Sequence, residues 1–347
     1  MQKIFFAALF SISVVGLFVS ACQSLAPGPS NTLPAPEVAP TSTGTPIGAN
    51  QTACFKTYSD PIAFTPDDSR ILVGANTGVQ VYDLAKQAEE RFLKSPTNLE
   101  RPNAALSPDG EILAWALEDN TIQLIRVVDK KVLHTLVGHT GPITRLRFSQ
   151  AGDRLFSAAD DGWVRVWNKD GAQVNAFQPG GGEVLGIGVS ADGTMLATIP
   201  PDGPVKLWDT KDFQKSTELG GTGGYNTSDV AFSVDGHFVA ADLATGLSVW
   251  DAAKQTLLWG GVNSMALAFS PTKNMLAYAD VDKNNTIVLI SPDGKQKLNT
   301  LAGHQSTVWK LIFSPDGSLL ASADDLEIRI WRVEDGRLLY IGKSVCP

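Results

Sequence analysis

The sequence predicts an all-β fold, a seven-bladed β-propeller of four-stranded antiparallel blades, and three observations lead there. The first is a period. Residues Tyr82, Ile125, Trp167, Trp208, Trp250, Ile290 and Trp331 each close an apolar run and follow one another at steps of 40 to 43. A second series, Phe64, Leu106, Phe148, Val189, Phe232, Phe269 and Phe313, repeats at steps of 37 to 44. Both match the length of one radial blade, about 40 to 45 residues. The second observation is shared turn chemistry in Ser107-Pro108-Asp109-Gly110, Ser190-Ala191-Asp192-Gly193, Ser233-Val234-Asp235-Gly236 and Ser314-Pro315-Asp316-Gly317. There Asp bonds its own backbone and Gly takes a positive φ. The third is a further strand-length segment after each closing residue, which supplies an outer strand. These outer strands are expected at 91–94, 132–137, 174–177, 216–219, 256–259, 297–301 and 338–341. Radial packing leaves only short outer edges, which protects a chain made of strands from edge pairing.

Residues 1–21, MQKIFFAALFSISVVGLFVSA, carry a charge at Lys3 and then an uncharged apolar stretch from Ile4 to Val19. This is the anatomy of a signal peptide, which is set apart from fold reasoning. Val19-Ser20-Ala21-Cys22 resembles a bacterial lipobox. The resemblance implies cleavage before Cys22, diacylation of its thiol, and a lipid-anchored protein on the extracytoplasmic side of a bacterial cell envelope. Residues 22–53 follow as a tether rich in Pro, Ser, Thr, Gly and Ala, with almost no charge. As a flexible coil, residues 23–53 span roughly 30 Å on average, and about 95 Å when extended. The propeller occupies 54–347. Its two ends carry Cys54 and Cys346, and in an exported chain two remaining thiols read first as a disulfide.

The unit that shows the repeat best runs from Gly138 to Trp167. An apolar run at Ile143, Leu146 and Phe148 leads through Gly152 to Leu155, then through Asp161-Gly162 to Val164-Arg165-Val166-Trp167. Gly138-His139, Ser157, Asp161 and Trp167 together resemble a WD-repeat. That resemblance implies a chain of hydrogen bonds through Trp, Ser, His and Asp that ties each blade together, formed here by Trp167, Ser157, His139 and Asp161. The types His, Ser and Asp also suggest a hydrolytic triad, but a satisfied buried network leaves no free nucleophile. Blade seven repeats the set with His304, Ser322 and Trp331 at the same 18-residue step from His to Ser. Its turn, Asp324-Asp325-Leu326, is one residue short; either Asp could complete the set, and Asp325 is taken as the fourth member. Blade four keeps Thr198, Asp202 and Trp208 but has Gly180 where His is expected, and blade two has Trp115 and Ile125 in place of Ser and Trp.

The formal charge of -8 and the pI near 5.0 argue against a nucleic-acid partner. Loss of residues 1–21 removes Lys3 and no acid, so the mature charge is -8 - 1 = -9, and flat contact with anionic lipid is disfavoured. No spacing of the four histidines, His134, His139, His237 and His304, resembles a metal-ligand set, and no cofactor motif is present. The glycine runs at 180–182 and 220–224 fall in loops.

Two surfaces could carry function. One is the channel lined by the first strands, where the position before each strand end is Ala63, Ala105, Arg147, Gly188, Ala231, Ala268 and Ile312. Against that small-residue background Arg145, Arg147, Asp229 and Lys310 stand out as a site for a small anion or for catalysis. The other is the rim made by the loops leading into each blade, where Thr140, Asp160, Trp163, Gln305 and Trp309 form the expected contact for a protein partner. The acidic turns at Glu118, Asp160 and Asp324 favour a basic one. The resemblance implies a non-enzymatic scaffold or assembly platform. An enzyme using the channel charges, or an assembly factor offering an outer strand edge, are the alternatives.

Overall fold

In the computed structural model the described residues are 53–54, 60–75, 78–86, 88–94, 103–221, 223 and 229–343. They form seven sheets, each built on four consecutive antiparallel strands in chain order, and the last sheet carries a fifth, parallel strand from the start of the propeller. The inner strands are Asp60–Phe64, Ala104–Leu106, Ile143–Phe148, Gly186–Val189, Val230–Phe232, Ser264–Phe269 and Lys310–Phe313. Each ends on the apolar residue that set the repeat. Inner strands of successive blades touch one another, and the strand of blade one also meets that of blade seven, so the ring closes.

The turn after each inner strand explains why that end is so sharply defined. In blade two, Ser107 Oγ donates to Asp109 at 2.5 Å and accepts the Ile112 amide at 2.9 Å, while Gly110 sits at φ +74. Blades four, five and seven repeat the bond from Ser to Asp at Ser190, Ser233 and Ser314. Each of these serines is nearly fully buried and satisfied by its own turn.

The outer strand of blade six matches its expected range and that of blade two ends a residue early, whereas the others are longer than the sequence signals, reaching Asp212–Gly220 in blade four and Ala88–Lys94 in blade one. An outer strand has one partner and a largely exposed face, so its alternation of apolar and polar residues is too weak to mark the ends. Blade six also inserts a short 3-10 turn, Val281–Lys283, closed by Asn284 and Asn285 at positive φ.

The core is divided into seven clusters, each lying between two neighbouring blades. Between blades two and three, for example, Ala114, Ile122 and Leu136 meet Leu146, Leu155 and Trp167. The last cluster joins Ile71 and Tyr82 of blade one to Ile328 and Ile330 of blade seven. There the short strand Ala53–Cys54 pairs in parallel with Leu338–Lys343, so the start of the propeller lies beside its last outer strand. Cys346, Cys22 and the segment 1–52 lie outside the described residues.

Candidate functional site: the tetrads, the rim and the channel

In blade three the four signature residues join second strand, third strand, blade-leading loop and hairpin. The Trp167 indole N–H can only donate, and it reaches Ser157 Oγ at 2.8 Å. The Ser157 hydroxyl then donates to His139 Nε2 at 2.8 Å, and His139 Nδ1–H donates to Asp161 at 3.0 Å. Asp161 also accepts the backbone amides of Thr140 at 2.9 Å and Trp163 at 3.0 Å. Burial pushes the His139 ring below its ordinary pKa despite the pull of Asp161, which keeps Nε2 free to accept. Burial works to raise the Asp161 carboxyl, but the two amides and His139 outweigh it and hold it low.

Blade seven builds the same chain from Trp331, Ser322 and His304, with bonds of 2.8 Å and 2.6 Å. Its carboxylate is Asp324, at 2.8 Å from His304 Nδ1, and the assignment to Asp325 is corrected. The shortened hairpin is the reason. Asp324 Oδ1 takes the Leu326 and Glu327 amides at 2.8 Å each, which folds the turn tightly around it, while Asp325 is exposed.

The bonds linking Ser, His and Asp have the lengths of a hydrolytic triad, yet the arrangement cannot act as one. Ser157 and Ser322 are both 0% exposed, and each hydroxyl oxygen is occupied by an indole N–H. No substrate atom can approach either oxygen. His304, Asp324 and Glu327 also place ligand-type atoms within 4.8 Å of one another, the one such group among the described residues. Their lone pairs serve the protein itself, since Glu327 accepts from Arg329 Nε at 2.5 Å and Asp324 is filled as above.

Glycine before each histidine has a steric cause. A Cβ on Gly138 would lie 3.3 Å from the Arg165 guanidinium and 3.2 Å from Trp167. Gly303, at φ +142, would collide with Arg329, which occupies the same place two residues before the closing Trp.

On the rim, the sequence-derived contact residues divide into two groups. Thr140, Asp160 and Trp163 gather around the Asp161 carboxylate of blade three. Gln305 and Trp309 belong to blade seven. Gln305 is exposed and bonds the Gly303 carbonyl at 2.8 Å. Trp309 is half-buried and packs against the cluster between blades seven and one, with no hydrogen-bond partner for its indole N–H among the described residues. Trp163 is half-buried and carries the Arg165 guanidinium 5.5 Å from its ring centre, with Arg165 held in turn by Gln173 at 2.7 Å. Glu183, in the loop leading into blade four, joins this cluster without having been singled out in the sequence. Burial and then the charge of Asp160 raise its carboxyl pKa, while Arg145 lowers it.

Of the channel residues, Arg147 donates to Asp229 across the ring from blade three to blade five. Blade four lies between them, and Gly188 of its inner strand has no room for a side chain because a Cβ there would run into the Val230 carbonyl of blade five. Burial would raise the Asp229 carboxyl, but Arg147, Lys310 and Arg145 together hold it below the usual range. The three cations of the channel set therefore all act on its one carboxylate.

Residues 130–168 and 295–332 match the sequence model described as "WD domain, G-beta repeat". Those segments contain the two complete tetrads. The chain carries WD40 repeats. Among curated relatives it is 27% identical to rat apoptotic protease-activating factor 1 over 68% of this chain and 16% of that protein. It is 30% identical to the WD repeat-containing protein SL1-17 of Schistosoma mansoni over 53% and 63% of the respective chains. An uncharacterised WD repeat-containing protein of Synechocystis is 29% identical over 46% of this chain and 47% of its own. The chain thus spans less than two thirds of the length of these relatives. A chain in the crystal structure of a mitotic checkpoint complex shares the fold with a TM-score of 0.69, covering 88% of this chain and 100% of its own at 20% identity.

Outside those two segments the WD40 pattern thins. In blade four Trp208 still donates to Thr198 at 2.9 Å, but the histidine position is vacant of any imidazole. In blade two the Trp115 indole N–H is buried with no partner among the described residues. Without a complete tetrad, those blades rest on strand pairing and on the apolar clusters to either side.

Proposed function

We propose that this WD40-repeat propeller is a protein-binding scaffold, anchored through Cys22 to the extracytoplasmic face of a bacterial membrane. One observation carries the binding reading: the blade-three tetrad fixes a hairpin that displays Trp163 beside the acidic pair of Asp160 and Glu183. A half-exposed Trp on a rigid support suits the centre of an interface, and neighbouring carboxylates steer a basic partner and make association sensitive to salt. Support for the anchor comes from Val19-Ser20-Ala21-Cys22 and the tether that follows, whose one charged residue is Glu37. More than one lipid chain gives stable anchoring, and the tether sets the propeller away from the bilayer.

Trp163→Ala weakens capture of the partner by roughly 2 kcal/mol and leaves the melting temperature unchanged. Crosslinking in the envelope followed by mass spectrometry identifies that partner, and a crosslink pattern that survives Trp163→Ala contradicts the rim assignment. Intact mass of the mature protein tests the anchor separately: Cys22→Ser abolishes acylation and releases the chain, and a variant that stays acylated and membrane-bound overturns it.

A further inference from the structure

Cations from blades three and seven converge on one carboxylate of blade five in the channel. Arg147 pairs directly with Asp229, whose side chain is 19% exposed. Arg145 bonds the Thr144 carbonyl at 2.8 Å and also acts on Glu183 at the rim. Lys310, from blade seven, contributes to the field at Asp229, yet its ammonium makes no hydrogen bond or ion pair among the described residues. Among the described residues, three cations act on Asp229, and Arg147 pairs with it at contact distance while Lys310 does not.

We propose that the channel binds a small multivalent oxyanion, of the phosphate or polycarboxylate class, between Lys310 and the two arginines of blade three. A narrow channel with protein walls focuses the field of its charges, so an uncompensated ammonium there attracts an anion far more strongly than one on an open surface. Arginine presents several parallel donors and suits an oxyanion with more than one acceptor, while lysine adds a compact charge from the opposite side. Asp229 limits the affinity and selects against monovalent anions, because a ligand has to compete with its charge for Arg147. This site shares no residue with the Trp163 rim and goes beyond the scaffold reading; either stands if the other fails.

Isothermal titration of the full-length chain with inorganic phosphate, and separately with citrate, tests the site at an ionic strength held constant with sodium chloride. The expected result is saturable 1:1 binding of at least one of the two anions. Lys310→Gln weakens it about tenfold, the effect of removing one charge-assisted contact. Asp229→Asn tightens it, because Arg147 is released and the competing charge is gone. Opposite shifts in two variants of the same channel cannot both come from misfolding, and circular dichroism checks each fold. Absence of saturable binding by both anions overturns the proposal, as does unchanged affinity in a folded Lys310→Gln.

Discussion

Ser157 stands at the centre of the blade-three hydrogen-bond chain, accepting from Trp167 and donating to His139. Replacing it by alanine strands a buried indole N–H and a buried imidazole nitrogen at once. Ser157→Ala is expected to cost about 1 to 3 kcal/mol, the penalty for leaving such groups unpaired. Thermal melting reads this as a lowered midpoint, with partner capture intact at temperatures where the domain stays folded. Loss of a hydrolytic activity at an unchanged midpoint is the contrary result, and it would restore the triad reading. The residues involved were all legible in the sequence, because the tetrad types recur at fixed offsets from the strand ends. Asp324 was harder to choose over Asp325, since the decision rests on which carboxylate the shortened hairpin wraps its amides around.

Turns between first and second strands decide how adjacent blades meet, and blade one has an unusual one. Where the turns of blades two, three, four, five and seven place glycine, Thr65-Pro66-Asp67-Asp68 puts Asp68 at φ +55, beside Asp316 of blade seven. Burial and then the charge of Asp316 push the Asp68 carboxyl up to about 6. A folded-state pKa raised above the unfolded value favours the native state at low pH. This contribution is full below the unfolded value near 3.8 and is lost as pH rises through about 6. Asp68→Asn removes the ionisation and tolerates the positive φ. The variant should melt above the parent chain at pH 7.5, by about 1 kcal/mol or less after solvent screening, and should converge with it near pH 4. Equal differences at both pH values would show that the two carboxylates do not interact. This turn departs from the S-x-D-G pattern that marked those of blades two, four, five and seven, and its encounter with blade seven follows from closure of the ring.

For the whole molecule, stability is distributed over seven clusters between blades, so no single blade can bury its own faces. The seam between blades one and seven is where the ring can open, and the strand Ala53–Cys54 beside Leu338–Lys343 reinforces it. A bond between Cys54 and Cys346 is expected to lock this seam, with an upper value of roughly 5 kcal/mol for closing so long a loop. Alkylation under non-reducing conditions checks it: neither thiol of the mature acylated protein should react, and reduction should lower the melting temperature. Two reactive thiols would leave the seam to the parallel strand and the apolar cluster.

What the sequence by itself determined was the number of blades, the place where each inner strand ends, and the members of the tetrads. These depend on short-range chemistry, on a Ser and Asp that close a turn and on residue types that recur with the repeat. Tertiary structure alone decided that Arg147 of blade three reaches Asp229 of blade five, 82 residues away. It also decided that Glu183 joins Asp160, that Arg165 covers Trp163, and that Trp309 packs into the seam. Such contacts join blades or strands whose spacing carries no common period. They exist because seven sheets closing into a ring bring their inner edges to one axis, and the charge balance on that axis is a property of the ring that no single repeat contains.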